Sequence, residues 1–182
     1  MWPRSSIRRT TVGDGEAEPM GLVFVPTPLG NLRDVTLRAV DALRDASLVV
    51  AEDSRVARKM LSALAIAGKE IWTYHEHNAR TATPAILERA RAESVAVVTD
   101  AGTPGISDPG SALVAAAREA GVPVEVLPGP VAFVVAAVLS GFDLRRLLFA
   151  GFAPRAGSQR RAAFRAWRNT RVTQGCRKKN PK

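Results

Sequence analysis

From Leu22 onward, short runs of β-branched and aliphatic residues alternate with stretches of helical periodicity. Residues 22–25, 48–51, 71–74, 95–99 and 124–127 each form such a run and predict strands. Between them, residues 35–44 place Leu37, Val40 and Leu43 at helical spacing, with Asp34 as the expected N-cap. Residues 55–64 and 85–92 read as amphipathic helices. Residues 111–120 follow the turn Asp108-Pro109-Gly110, are rich in alanine and stop at Gly121. Strands with a helix in each gap predict an α/β fold: a mostly parallel five-stranded sheet with helices on both faces. The apolar run 131–139 is ambiguous, because its valines favour a strand. Pro130 as a first-turn residue and the length through Ser140 predict a buried helix instead. This run falls far short of the ~20 residues a membrane helix needs, so no spanning segment is expected. A last helix is expected over 156–168, carrying Ala162, Ala163, Phe164 and Trp167.

Charge divides the chain differently. The net +9 over 182 residues resembles a nucleic-acid signature until it is apportioned. Residues 1–21 sum to zero and residues 22–150 to −1, whereas residues 151–182 hold ten basic and no acidic side chains. Three segments follow: a leader (1–21), an α/β domain (22–150), and a basic helix with an irregular tail (151–182). The leader lacks the apolar core of a secretory signal, and Asp14, Glu16 and Glu18 argue against a transit peptide. It is expected to be disordered, or to precede a true start at Met20. The tail after Asn169 has no periodicity and no acidic residue, as a frameshift or a premature end would produce. Its charge run suits phosphates, although such runs are more often simply solvated. The single cysteine, Cys176, excludes an internal disulfide.

In open parallel sheets, ligands lie beyond the carboxyl ends of the strands, and the informative loops occupy those ends. The loop after the fourth strand is Asp100-Ala101-Gly102-Thr103-Pro104-Gly105-Ile106-Ser107-Asp108-Pro109-Gly110. Gly102 and Gly105 let backbone approach a ligand while the prolines stiffen the path, which suits a flat polar molecule such as a nucleoside. The same glycines would also serve a tight connection that binds nothing. The loop is neither a P-loop nor Gly-x-Gly-x-x-Gly. His75 and His77 could begin a metal site only if carboxylates completed it, and a polar strand end is the commoner explanation; no metal is expected. Glu52 and Asp53 are candidate proton acceptors, or equally caps of the following helix. No Gly-x-Ser-x-Gly elbow is present.

Five strings carry a resemblance: VPTPLGNLRDVTLRA (25–39), AEDSR (51–55), YHEHN (74–78), VTDAGTPGISDPG (98–110) and LPGPVA (127–132). Together they resemble the ribosomal RNA small-subunit methyltransferase I family, within the tetrapyrrole-methylase-like class of enzymes that use S-adenosylmethionine. The resemblance runs from about Leu22 to Arg161. It implies 2′-O-methylation of a cytidine in the decoding region of 16S rRNA, on the small ribosomal subunit, in the cytoplasm, by a homodimer. It implies that Asp100, Ala101, Gly102, Thr103, Pro104, Gly105, Ile106 and Ser107 form the cofactor loop, with Pro128 and Gly129 as a second cofactor-side loop. Pro26, Thr27, Pro28, Gly30, Asn31 and Leu32 resemble the loop beside the substrate. Val131 stands where the family usually has Ser. The family also has a second α/β domain closing the cofactor cleft, so residues 151–182 are expected to be the start of a truncated second domain and the chain to be inactive or nearly so by itself. Removal of the hydroxyl proton is left to Asp100, Glu52 or Asp53. The alternatives are a methyltransferase acting on a tetrapyrrole-type small molecule, and a non-catalytic protein that binds RNA weakly.

Overall fold

The computed structural model describes residues 20–155 and 157–168. The expected leader, all but its last two residues, and the irregular tail lie outside that range. Five strands are present: β1 (Gly21–Phe24), β2 (Leu48–Ala51), β3 (Glu70–Thr73), β4 (Ser94–Val98) and β5 (Val124–Val126). The helices are α1 (Leu37–Asp45), α2 (Ser54–Ala63), α3 (Ala79–Ala92), α4 (Gly110–Glu119), α5 (Ala132–Leu139) and α6 (Gly157–Arg168), with a 3-10 turn over Leu32–Asp34. Each predicted strand is present, displaced by a residue at most at either end.

All strand pairs are parallel, in the order β3-β2-β4-β1-β5. Alternating side chains build one core on each face. Leu22, Phe24, Leu48, Val50, Val95 and Val97 pack with Ile86 of α3 and Leu113 of α4. Val23, Val25, Val49, Ala96 and Val98 pack with Leu43 of α1 and Leu61 of α2. Both faces are thus covered, as a parallel sheet requires.

Three expectations are corrected. Thr36, not Asp34, caps α1, its hydroxyl accepting from the Ala39 N–H at 3.1 Å. Asp34 instead belongs to the preceding 3-10 turn, where the chain has not yet reached the helix axis. Helix α3 begins at Ala79 rather than 85, with Pro84 inside it. The Thr83 hydroxyl bonds back to the Ala79 carbonyl at 2.7 Å in that opening stretch. Helix α5 forms as expected but buries none of its residues. Neither core cluster includes any of its residues.

Candidate functional site

The strand order creates a switch point between β1 and β4, because β1 connects towards β2 on one side and β4 towards β5 on the other. Each connection passes over the other strand on its own face of the sheet, α1 on one side and α4 on the other, and ligands lie in the crevice beyond the carboxyl ends of such strands. The loops leaving β1, β4 and β5 meet there. Thr27 and Gly102 exchange both backbone bonds, Thr27 N–H to Gly102 C=O at 2.9 Å and the reverse at 3.0 Å. The buried Thr27 hydroxyl donates to the Thr99 carbonyl at 3.1 Å. Thr103 donates from its hydroxyl to the Pro130 carbonyl at 3.0 Å, tying the β4 loop to the β5 loop.

Two details set the backbone path. Gly102 has φ +91°, a conformation that other residues rarely adopt. A Cβ on Gly129 would stand 2.3 Å from the Pro26 Cβ, so only glycine permits that approach. Within the β4 loop, the Asp108 carboxylate accepts N–H groups from Gly105, Ile106 and Gly110 at 2.7–3.0 Å. It draws the loop into a collar at the start of α4.

The crevice is partitioned. A trough of about 150 Å³ is lined by Leu29, Ala101, Gly102, Thr103, Ile106 and Ser107 on one side. Val131, Ala132, Phe133, Phe149 and Phe152 line the other, with the Phe133 and Phe149 rings stacked 4.4 Å apart. A separate cavity of about 260 Å³ lies across the β1 loop, between Thr27, Pro28, Gly30 and Leu32 and the Val56, Lys59, Met60 and Ala63 positions of α2. Asp100 lines this second cavity while Ala101 lines the first, so consecutive residues face the two compartments.

Of the predicted cofactor loop, Ala101, Gly102, Thr103, Ile106 and Ser107 therefore gather at the trough. Pro104 is buried and Gly105 is engaged with Asp108. Pro128 and Gly129 line neither compartment; Gly129 instead fixes Pro26 from behind. Asn31 caps the 3-10 turn, accepting from the Arg33 N–H at 3.1 Å.

The three carboxylates separate clearly. Asp53 caps α2 through the Arg55 N–H at 2.8 Å and pairs with the Arg55 guanidinium at 2.7 Å. The hydrogen bonds from Arg55 hold its carboxyl down at about 2. Glu52 is pushed above its ordinary value by burial first, then by the nearby charges of Asp100 and Asp108. Asp100 accepts the Asp53 N–H at 3.2 Å, joining the ends of β4 and β2. Glu52 faces a third, polar cavity of about 640 Å³ with His75, Glu76, His77, Asp108 and Ser111. His75 Nδ1 there is buried without a hydrogen-bond partner. Among the described residues, no group of three or more His, Cys, Asp or Glu is arranged to hold a metal ion. No helix among them is long and apolar enough to cross a membrane.

The pattern of the tetrapyrrole (corrin/porphyrin) methylases matches residues 21–175. The chain belongs to that family. It is 42% identical to "Ribosomal RNA small subunit methyltransferase I" of Micromonospora olivasterospora, over 91% of this chain and 56% of that protein. It thus spans about half the length of the curated relatives it matches. A conserved hypothetical protein of Aeropyrum pernix K1 superposes with a TM-score of 0.58 at 27% identity, over 72% of this chain and 46% of that one. The uroporphyrin-III-C-methyltransferase of Thermus thermophilus gives 0.50 at 28% identity, over 66% and 51%. For this member of the methylase family, sequence reasoning missed Leu29, the aromatic wall at Phe133 and Phe149, and the α2 positions. Leu29 lies within the first loop and faces the opposite compartment from its neighbours. The α2 residues carry only a helical pattern, which does not say which face meets a cavity.

Proposed function

We propose that the protein transfers a methyl group from S-adenosylmethionine to the 2′-hydroxyl of a cytidine ribose in 16S rRNA, acting on the small ribosomal subunit. The observation that carries the reading is the pair of adjoining compartments at the switch point, divided by the β1 loop and sharing the Asp100–Ala101 step. Similarity to the Micromonospora protein supports the choice of an RNA substrate. It makes the cytoplasm the expected location, and a homodimer is proposed with it.

The trough residues suit the adenosine part of the cofactor, although the trough's volume of about 150 Å³ takes in only part of such a ligand. Peptide edges at Ala101–Thr103 stand opposite an apolar and aromatic wall, which suits the flat, polar-edged adenosine part. Ala101, Gly102, Thr103, Ile106 and Ser107 would hold it; bound there, it supplies an activated methyl group on a sulfonium. The protein's own task is alignment and exclusion of water. The Thr27–Gly102 ladder and the Thr103–Pro130 bond keep the lips of the two compartments at a constant separation. Asp100, at the step between them, is the carboxylate placed to accept the hydroxyl proton. Asp53 is committed to Arg55, and Glu52 faces the polar cavity instead.

A tetrapyrrole-type small-molecule substrate is the second reading, favoured by the likeness to the uroporphyrin methyltransferase and by the roomy polar cavity beside Glu52. Methyl-labelled S-adenosylmethionine incubated with small ribosomal subunits, followed by digestion to nucleosides, separates these readings. Label in 2′-O-methylcytidine is expected. Label only in an added tetrapyrrole establishes the second reading, and no label with either leaves a binding protein. Gly102→Val is expected to abolish transfer and calorimetric cofactor binding while the domain stays folded; unchanged binding would remove the trough assignment.

A further inference from the structure

The cavity between the β1 loop and α2 has a composition that the cofactor does not explain. Its walls are mostly apolar: Pro28, Leu32, Val56, Met60 and Ala63. Its volume of about 260 Å³ lies just below the usual range of drug-sized ligand pockets, which leaves room for a group of a few rings at most. The mouth is cationic. Lys59 lines the cavity itself, and α2 carries Arg55, Arg58 and Lys59 with no acidic residue. On the β1 loop, Arg33 directly follows the lining residue Leu32 in the chain and is exposed. Asp53 neutralises Arg55, but no acidic side chain lines the cavity apart from Asp100 at its inner end. An apolar slot with a basic rim matches one chemistry in particular: a single unstacked base, with its phosphates running over the rim.

We propose that this cavity takes an unpaired base of a single-stranded RNA, with Lys59 and Arg33 contacting the flanking phosphates. The proposal rests on the reading that RNA is the substrate and adds where the strand lies. The base enters between Leu32 and Met60, and its ribose stays at the mouth, beside the β1 loop. The strand thus docks on the α2 edge of the domain, independently of the basic residues beyond 155.

The test uses the whole 182-residue chain and a single-stranded oligoribonucleotide carrying one 2-aminopurine. Insertion of that base into the slot is expected to unstack it and raise its fluorescence. Ala63→Phe, which fills the slot from an exposed position, should abolish the rise and weaken binding by about fivefold or more, the loss of one stacked base. Arg33→Ala with Lys59→Ala should reduce the slope of log affinity against log salt by about 1.4, the value for two phosphate contacts on a single strand. Circular dichroism melts confirm that both variants remain folded. An unchanged fluorescence rise in Ala63→Phe, an unchanged salt slope in the double variant, or no RNA binding by the parent chain would each overturn the proposal. Methylation of small subunits is measured alongside. Transfer undiminished in Ala63→Phe overturns the slot but spares the enzymatic reading. Slot-dependent binding without transfer overturns the enzymatic reading but spares the slot.

Discussion

Helices α4 and α5 show that the more apolar helix need not be the more buried one. Helix α4 (GSALVAAARE) has a polar side, and it buries Leu113 and Ala117 completely against the sheet. Helix α5 (AFVVAAVL) is more apolar all round and buries nothing; Val138 is 64% and Leu139 81% exposed. The same holds on either side of residue 130. Before it, the loops are bound by backbone ladders and a carboxylate collar; after it, Phe152 is 86% exposed. Apolar composition supplies the incentive to bury, but burial needs a facing surface of matching shape. The sheet offers that surface to α4. Patches left open in this way are characteristic of binding or interaction sites, and part of this one forms the wall of the trough.

The contrast is largest in the core. Leu113→Ala is expected to cost about 4 kcal/mol by leaving a cavity, whereas Val138→Ala should change stability by less than ~0.5 kcal/mol. Urea unfolding of the two variants measures both, and equal losses would mean α5 is packed in solution. Next is a pair of glycines. Gly129→Val should cost about 3 kcal/mol through collision with Pro26. That lowers the melting temperature by ~10 °C at ~2–4 °C per kcal/mol. Gly141 has φ +65°, and a Cβ added there would meet nothing within 4 Å. Its replacement by Ala should cost only the left-handed strain, ~1 kcal/mol.

The collar sharpens the contrast at a smaller scale. Asp108→Ala strands N–H groups of Gly105, Ile106 and Gly110, with an expected loss of about 2 kcal/mol. Amide hydrogen exchange at those three positions should accelerate while that of β4 stays slow. The smallest effect concerns acid. Asp53 is held at about 2 against an ordinary 3.8, so its pairing stabilises the fold fully above the ordinary value and is lost as pH falls towards 2. Asp53→Asn should flatten the stability profile over that interval and leave it parallel to the parent above it, as read from thermal melts at stepped pH.

Glycine and proline mark backbone paths directly, and Gly102 and Gly105 are legible in the fourth loop on that ground alone. Thr103, Ser107, Thr27 and Leu32 follow only from the family resemblance. The capping of α2 by Asp53 follows from its position before a helical run. What stays hidden is direction. Leu29 and Pro28 are neighbours, yet they line different compartments. Gly129, expected beside a ligand, instead serves the approach of Pro26, a contact between residues far apart in the chain.

The alternation of β-branched runs and helical stretches by itself determined five strands, their intervening helices, and the end of the sheet where the glycine-rich loops lie. Local spacing suffices for that, because side-chain period and backbone preference act within a few residues. The tertiary structure alone decided the order β3-β2-β4-β1-β5, the meeting of the first and fourth loops, and the exposure of α5. Parallel pairing joins strands through crossovers of many residues, and the edge each strand presents is its backbone N–H and C=O groups, which are alike in every strand. Which edges meet is therefore settled by how the helices fill both faces of the sheet, a property of the assembled packing.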